Sequence, residues 1–391
     1  MDFAIASDVE HRRRAFRDFL EREIRPIGDH RDAGGPLERH ELDDLVARLQ
    51  PSGIMHASLP HDVGGTNRSF LERILLAEEF ARVWPSLAVT IDSHNIVVEI
   101  IARQGAPWMK DRYVEAGITG RAIMGDMMSE PQAGSDTRNL ATRAVAAGDH
   151  YVVDGTKMWT TNGVWADVAL LSAVANEDDY RRDPRRGVIH LLVDKAVSPW
   201  KVRDLPIIGL KAGTTGYIEF ENCRVPRRHL FHADDTGYTQ NLVVRGWARI
   251  LLGAWAIGIM QAAIDDAVQF ARERHTFGKP IAAHQMIQDM VARMHVDLET
   301  SRLLTYKAAW LMDQGVRCDL EQATAKLHAC EVVKRVTDDA IQILGGRGLT
   351  TDEGYRTERL HRDARFLAVA EGTSQIMKLI IGRRLLGVSA L

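Results

Sequence analysis

The sequence holds only three cysteines, Cys223, Cys318 and Cys330, with no C-x-x-C pair among them. An odd, scattered set argues against a disulfide framework and against a zinc site, and it fits a reducing cytoplasm. Excess charge of one sign is also missing. Lys+Arg is 50 and Asp+Glu is 53, for a net charge of -3, so neither a nucleic-acid binder nor an anionic-membrane binder is expected. Long apolar runs are absent too. The longest covers 250–260 and stops at Gln261, well short of the roughly 20 residues a membrane span needs. The first residues place their charges after the apolar ones, the reverse of a secretory signal. There is no H-E-x-x-H, no P-loop, no G-x-S-x-G, no internal repeat and no low-complexity tract.

What is present is ordinary for a globular protein: 391 residues, 45% hydrophobic and 26% charged. That length is too great for one simple core. Residues 1–120 read as a helical domain. Apolar residues recur at helical spacing over 41–49 and 71–83, punctuated by Pro51, Pro60, Gly64, Gly65 and Pro85. Residues 121–235 read as a β domain. Tyr151, Val152 and Val153 run into Asp154-Gly155, a hairpin signal. Strands are expected over 167–175, 188–193 and 217–220, and the charged stretch 176–186 reads as an exposed loop. Residues 236–391 return to helix, with long apolar-faced segments over 249–270, 284–312 and 323–344. This helical, β, helical order predicts a mainly α member of the α+β class with segregated layers.

Five segments could carry chemistry. The small residues and hydroxyls of Ser129-Glu130-Pro131-Gln132-Ala133-Gly134-Ser135-Asp136 could approach a flat polar ring or a phosphate, or could simply form a capped turn. Lys157-Met158-Trp159-Thr160-Thr161-Asn162-Gly163 could lay an indole on a planar cofactor, or pack it in a core. The run 272–280 offers Arg274 to a phosphate, or is a solvated helix end stopped by Gly278 and Pro280. The run 342–348 resembles a dinucleotide glycine fingerprint only faintly. The third glycine would fall on Thr351, and a glycine-capped helix end fits better. In Ala370-Glu371-Gly372-Thr373-Ser374-Gln375-Ile376, Thr373 or Ser374 can cap a helix. Glu371 is then either a carboxylate favoured by the helix dipole or a general base on the preceding loop. Two arginine-rich runs, 11–14 and 362–365, read as a solvated helix face and as local ion pairs.

Taken together, in this order and over nearly the whole chain, the segments 129–136, 157–163, 272–281, 342–350 and 362–376 resemble the acyl-CoA dehydrogenase family of flavoproteins. The resemblance implies an N-terminal helical domain, a middle β-barrel-like domain, a C-terminal four-helix bundle, and a homotetramer or homodimer. It implies FAD in a cleft between the β domain and the C-terminal helices. Ser129, Gly134, Ser135, Trp159 and Thr161 match the family's flavin-ring contacts. Arg274 and Phe277 match residues that hold the pyrophosphate and adenine end from a neighbouring subunit, as do Gln342 and Gly346. Thr373 and Gln375 match further FAD contacts. Glu371 matches the catalytic base, and Arg249 a supporting arginine near the thioester. The implied reaction is α,β-dehydrogenation of an acyl-CoA to a trans-2-enoyl-CoA. Glu371 takes the α-proton, the flavin takes the β-hydride, and an electron-transfer flavoprotein receives the electrons.

The sequence also departs from the family pattern. Gln132 replaces a usual Gly, which a negative backbone φ would tolerate. Ala370 replaces a common Tyr and could widen the pocket. Gly246 and Ala248 replace polar residues near the matching helix start. Ala248 also stands where some members place their base, which favours Glu371. Leu87 stands where glutaryl-type members carry an arginine, which disfavours a dicarboxylyl substrate. Three alternatives accompany this reading: an acyl or aminoacyl group on a carrier protein, an oxidase or monooxygenase on the same fold, and a nucleic-acid-associated branch that the net charge disfavours.

Overall fold

A computed structural model describes residues 4–233, 237–351 and 354–388, the side chains of 237–245 excepted. The boundary expected at 235/236 lies outside the described residues. The chain opens with six helices: α1 (Ser7–Phe19), α2 (Arg25–Arg31), α3 (Arg39–Leu49), α4 (Phe70–Val83), α5 (Pro85–Gln104) and α6 (Pro107–Ile118). Local chemistry sets the α4–α5 break. Ser69 caps α4 by accepting the Glu72 N–H. Pro85 starts α5 and forces Trp84 out of helical angles, to φ -148 and ψ 93.

The middle of the chain is an eight-stranded sheet: β1 (Met124–Met127), β2 (Arg143–Ala147), β3 (His150–Thr161), β4 (Val168–Val174), β5 (Val188–Asp194), β6 (Lys201–Asp204), β7 (Thr215–Pro226) and β8 (Leu230–His232). The order is β6-β7-β3-β2-β4-β5-β8, and β1 pairs with β4 in parallel. The expected hairpin at Asp154-Gly155 is not there. β3 runs straight through, and its register against β7 shifts between Val153 and Gly155. Gly155 has φ +147, and a Cβ on it would sit 2.6 Å from the Thr142 backbone. The dipeptide serves a bulge, and the hairpin turn falls at Gly148, φ +66. The expected loop over 176–186 contains a short helix, α7 (Glu177–Arg182), capped by Asn176.

The chain then forms α8 (Gly237–Glu273), a ribbon of β9 (His275–Thr276) and β10 (Lys279–Pro280), and four helices: α9 (Gln285–Asp313), α10 (Asp319–Leu344), α11 (Thr357–Leu367) and α12 (Ser374–Leu386). By length and composition the Gly246–Glu273 stretch could cross a membrane, yet 83% of its apolar window is buried inside the fold. The helices before and after the sheet share one continuous core, running from Phe16 and Leu42 through Phe80 and Ile101 to Ile257, Val333 and Leu360. α4 and α8 cross closely at Gly258, where a Cβ would lie 2.3 Å from the Glu78 carbonyl oxygen. The arginines of α1 are not simply solvated. Arg12 binds Glu72 at 2.7 Å, and Arg13 binds Glu79 at 2.7 Å and Glu78 at 3.1 Å. These pairs dock α1 on α4.

Candidate active site

The loop 129–136 leaves β1 and is tied to β3 by main chain and side chain. The Met158 N–H donates to the Ser129 carbonyl at 2.8 Å. Lys157 Nζ donates to Glu130 Oε1 at 2.6 Å and to the Met128 carbonyl at 3.0 Å. Glu130 also accepts the Ala141 and Thr142 N–H groups at 2.6 and 3.1 Å. Burial alone would push the Glu130 carboxyl up, but Lys157 and these donors outweigh it and hold it below the usual range. Burial pushes the Lys157 ammonium down, and Glu130 opposes that. Gln132 is not among the positive-φ residues, so its replacement of glycine costs no backbone strain. Its amide donates to Glu130 Oε2 at 2.6 Å. Gly134 and Ser135 are exposed at the tip. A Cβ on Gly134 would meet no atom within 4 Å, so that side of the loop is open to a ligand.

β3 presents the next two residues. Its register slips again between Met158 and Thr160, and Trp159 sits there at φ +64 with 55% of its surface exposed. A bulky residue in the left-handed region costs on the order of 1–3 kcal/mol and persists only where its surroundings over-determine it. Thr161 lines a narrow cleft with Ser86 and Thr90 of α5, Leu210 and Thr214 of the β6–β7 connection, and Phe366 of α11. Asn162 fastens the end of β3 by donating to the Thr90 carbonyl at 2.9 Å. Thr214 Oγ1 is buried without a protein hydrogen-bond partner. A polar atom orphaned at the wall of a cleft that also holds Thr161 suits the polar edge of a bound ring.

Glu371 lies in the turn from α11 to α12. Its φ is +53, and Gly372 follows at +89. The turn is held from several sides. Thr373 Oγ1 accepts the Ile376 N–H at 3.3 Å, capping α12, while Gln375 is exposed. The Ser374 N–H donates to the Ala368 carbonyl at 3.1 Å, and its hydroxyl donates to Glu331 of α10. Lys326 of α10, fully buried, donates to the Gly372 carbonyl. The charges of Glu371 and of Arg249, on α8, both act on Lys326. Glu371 and Arg249 therefore lie near the same lysine. Ala248 and Leu87 are core residues.

Arg274, Phe277, Gln342 and Gly346 are all exposed. The segment 272–280 is not a solvated helix end. α8 stops, and β9 and β10 pair His275 with Pro280 and Thr276 with Lys279. The two-residue turn holds Phe277 at φ +50 and Gly278 at φ +79, as a type I′ turn demands. Phe277 is 95% exposed. Gly345, at φ +59, ends α10, and Gly346 follows it.

Models of the N-terminal, middle and C-terminal domains of acyl-CoA dehydrogenase match residues 7–121, 125–223 and 236–386. The chain belongs to the acyl-CoA dehydrogenase family. It is an oxidoreductase of that family. A short-chain specific acyl-CoA dehydrogenase of Clostridium acetobutylicum is 31% identical over 387 residues, covering 98% of this chain and all of the relative. The solved butyryl-CoA dehydrogenase of Megasphaera elsdenii superposes with a TM-score of 0.92 at 27% identity, covering 99% of this chain and 100% of that one. PigA, solved with FAD and proline, superposes with a TM-score of 0.92 at 25% identity, over 98% and 99% of the two chains.

Four residues around the site escaped the sequence reading in whole or in part. Lys326 is a lysine among Gln322, Ala323, Ala329, Cys330 and Val333, all buried on α10. A charge inside an apolar stripe was the available signal. Glu130 and Lys157 were inside quoted motifs, and their pairing needed the fold. Asp363 was read as part of an exposed ion-pair run. It is fully buried and accepts the Leu210 N–H at 2.5 Å, while its neighbour Arg362 pairs with Glu358.

Proposed function

We propose that this protein is an FAD-dependent dehydrogenase that converts a saturated acyl thioester, carried on CoA, into its trans-2-enoyl thioester, with Glu371 as the base. The observation that carries the proposal is the course of α11. It brings Phe366 to the cleft beside Thr161 and, five residues later, sets Glu371 in a left-handed turn beside Lys326. One helix thus joins the cofactor wall to the base.

The residues fit the cofactor. Trp159 offers an exposed indole face, the open side of Gly134 admits close approach, and Thr214 Oγ1 awaits a partner. Ser129, Ser135 and Thr161 supply polar contacts to the ring, and Thr373 and Gln375 supply more from the α12 start. When bound, FAD supplies the two-electron acceptor for the hydride leaving the β-carbon. Glu371 takes the α-proton onto its carboxylate, and Arg249 contributes positive charge on the thioester side. Arg274, Phe277, Gln342 and Gly346 reach the cofactor of a neighbouring copy in a homotetramer or homodimer, a role that suits the near-complete exposure of Phe277. An electron-transfer flavoprotein reoxidises the enzyme. A reducing compartment suits the three free thiols, all buried.

The test is anaerobic. The visible spectrum of the purified, FAD-loaded protein is followed as saturated acyl-CoAs of differing length and branching are added, then the same acyl or aminoacyl groups on a carrier protein. Bleaching by an acyl-CoA is expected. Glu371→Gln keeps the flavin and loses roughly 100-fold or more of the bleaching rate. Bleaching only by carrier-bound groups moves the substrate to the carrier, and unimpaired bleaching in the variant removes Glu371 from the base role.

A further inference from the structure

The three motifs around Glu371, Arg249 and the cleft leave one charged side chain without a task. Lys326 is fully buried in α10, 45 positions before the base. A lysine is almost never buried without a reason, because removing its charge from water costs several kcal/mol unless a partner compensates. The partner is specific: Nζ donates to the carbonyl of Gly372, the residue after the base.

That carbonyl closes a strained turn. Glu371 stands at φ +53, a conformation that a residue with a Cβ adopts at a cost of about 1 kcal/mol or more. Such a conformation persists only where its surroundings over-determine it. The Thr373 cap and the Ser374 bonds to Ala368 and Glu331 fix the turn from the α12 side. Lys326 is the hydrogen-bond donor from α10 that reaches its Gly372 side. The charges near its ammonium come from three elements. Cys330 and Glu331 lie on α10, Arg249 on α8 and Glu371 in the turn. Lys378 of α12 faces Glu331 from the far side.

We infer that Lys326 is a positioning residue for the base: its hydrogen bond to Gly372 locks the left-handed Glu371-Gly372 turn and so fixes where the carboxylate stands. Burial pushes the Lys326 ammonium down from the usual lysine value, Cys330 and Glu371 pull it back up, and Arg249 opposes them.

The inference rests on the acyl-thioester reading, and the test separates the two. Wild type, Lys326→Met and Lys326→Arg are loaded with FAD and mixed anaerobically with the acyl-CoA that bleaches wild type fastest, from pH 6 to 9. Amide hydrogen exchange of peptides covering 366–377 is measured on the same holoproteins without substrate. Lys326→Met is expected to lower the limiting bleaching rate roughly tenfold or more, with half-saturation changed by less than about threefold. Exchange over 366–377 accelerates, and Lys326→Arg restores part of both. Unchanged exchange together with an unchanged limiting rate overturns the inference. A wild type that no acyl-CoA bleaches sinks the substrate reading instead, and the exchange comparison still decides the role of Lys326. Should Lys326→Met not fold, Lys326→Gln replaces it. Failure of both to fold would make Lys326 a structural residue and end the proposal.

Discussion

Lys157 of β3 and Glu130 of the 129–136 loop meet at 2.6 Å with both side chains closed to solvent. This pair, with the Met158–Ser129 backbone bond, makes one unit of two segments that lie far apart in sequence. Breaking a buried pair by removing one partner leaves an uncompensated charge, which costs about 3–5 kcal/mol. Lys157→Met is therefore expected to lower the urea midpoint and, since the loop carries Ser129, Gly134 and Ser135, to speed FAD loss on dilution. Fluorescence of released flavin reads the second effect. A variant that is destabilised yet holds FAD as tightly as wild type would separate the pair from the cofactor loop.

Asp363 gives the fold a pH dependence. Burial pushes its carboxyl up to about 7, and the nearby Asp32 adds to this while Arg359 and Arg362 oppose it. Asp32 is itself buried, accepting from Trp84 Nε1 at 2.7 Å and from the Ser86 hydroxyl at 2.9 Å. The folded protein keeps a proton on Asp363 that the unfolded chain releases near pH 4, so the folded state binds more protons in between. Stability from this group is full below about pH 4, falls as pH rises to about 7, and is flat above. Asp363→Asn, which keeps an acceptor for the Leu210 N–H, should flatten that slope in denaturation curves taken at several pH values.

Phe277 separates folding from assembly. With 95% of its surface exposed, Phe277→Ala is expected to change the stability of the isolated fold by no more than about 0.5 kcal/mol. If it holds the adenine end of a neighbour's FAD, the same variant loses FAD more readily, and light scattering reports a smaller assembly or an unchanged one with weakened flavin. Wild-type flavin retention in the variant would remove Phe277 from the cofactor site.

Gly258 tests the α4–α8 crossing. An added Cβ would press on the Glu78 carbonyl oxygen at 2.3 Å and the Arg82 nitrogen at 2.7 Å, both backbone atoms with little room to yield. Gly258→Ala is expected to cost roughly 1–3 kcal/mol, seen as a lower thermal midpoint. A neutral result would mean that the two helices can slide apart freely.

Much of this site was legible before the fold was known, for reasons tied to single residues. Thr373 or Ser374 read as a cap because hydroxyls cap helices, and Thr373 is the one that does so. The strands expected over 167–175 and 188–193 are found over 168–174 and 188–194, because runs of buried β-branched and aliphatic residues leave a local signature. Asp154-Gly155 misled because the residues that make a tight turn also make a bulge, and the choice between them lies in a distant strand. The partners of Lys326 and Asp363 were invisible for a related reason. Whether a charge is buried depends on partners 46 and 153 positions away, which no local pattern contains. The left-handed angle of Glu371 is likewise set by its neighbours in space.

Helix α8 sets distances across the molecule. Arg249 stands near the start of its described side chains, and Asp265 and Asp266 stand 16 and 17 residues further on, about 24–26 Å along the axis. Asp265 is clamped by Arg82 at 2.7 Å and Asp266 by Arg356 at 2.7 Å, while Gly258 presses the middle of the rod onto α4. The rod is thus pinned at its far end and at its midpoint, and its near end carries Arg249, whose charge acts on Lys326. A substitution at the clamp, far from any substrate, would act as an error in a gauge: it would leave every reacting group intact and set Arg249 at the wrong mark.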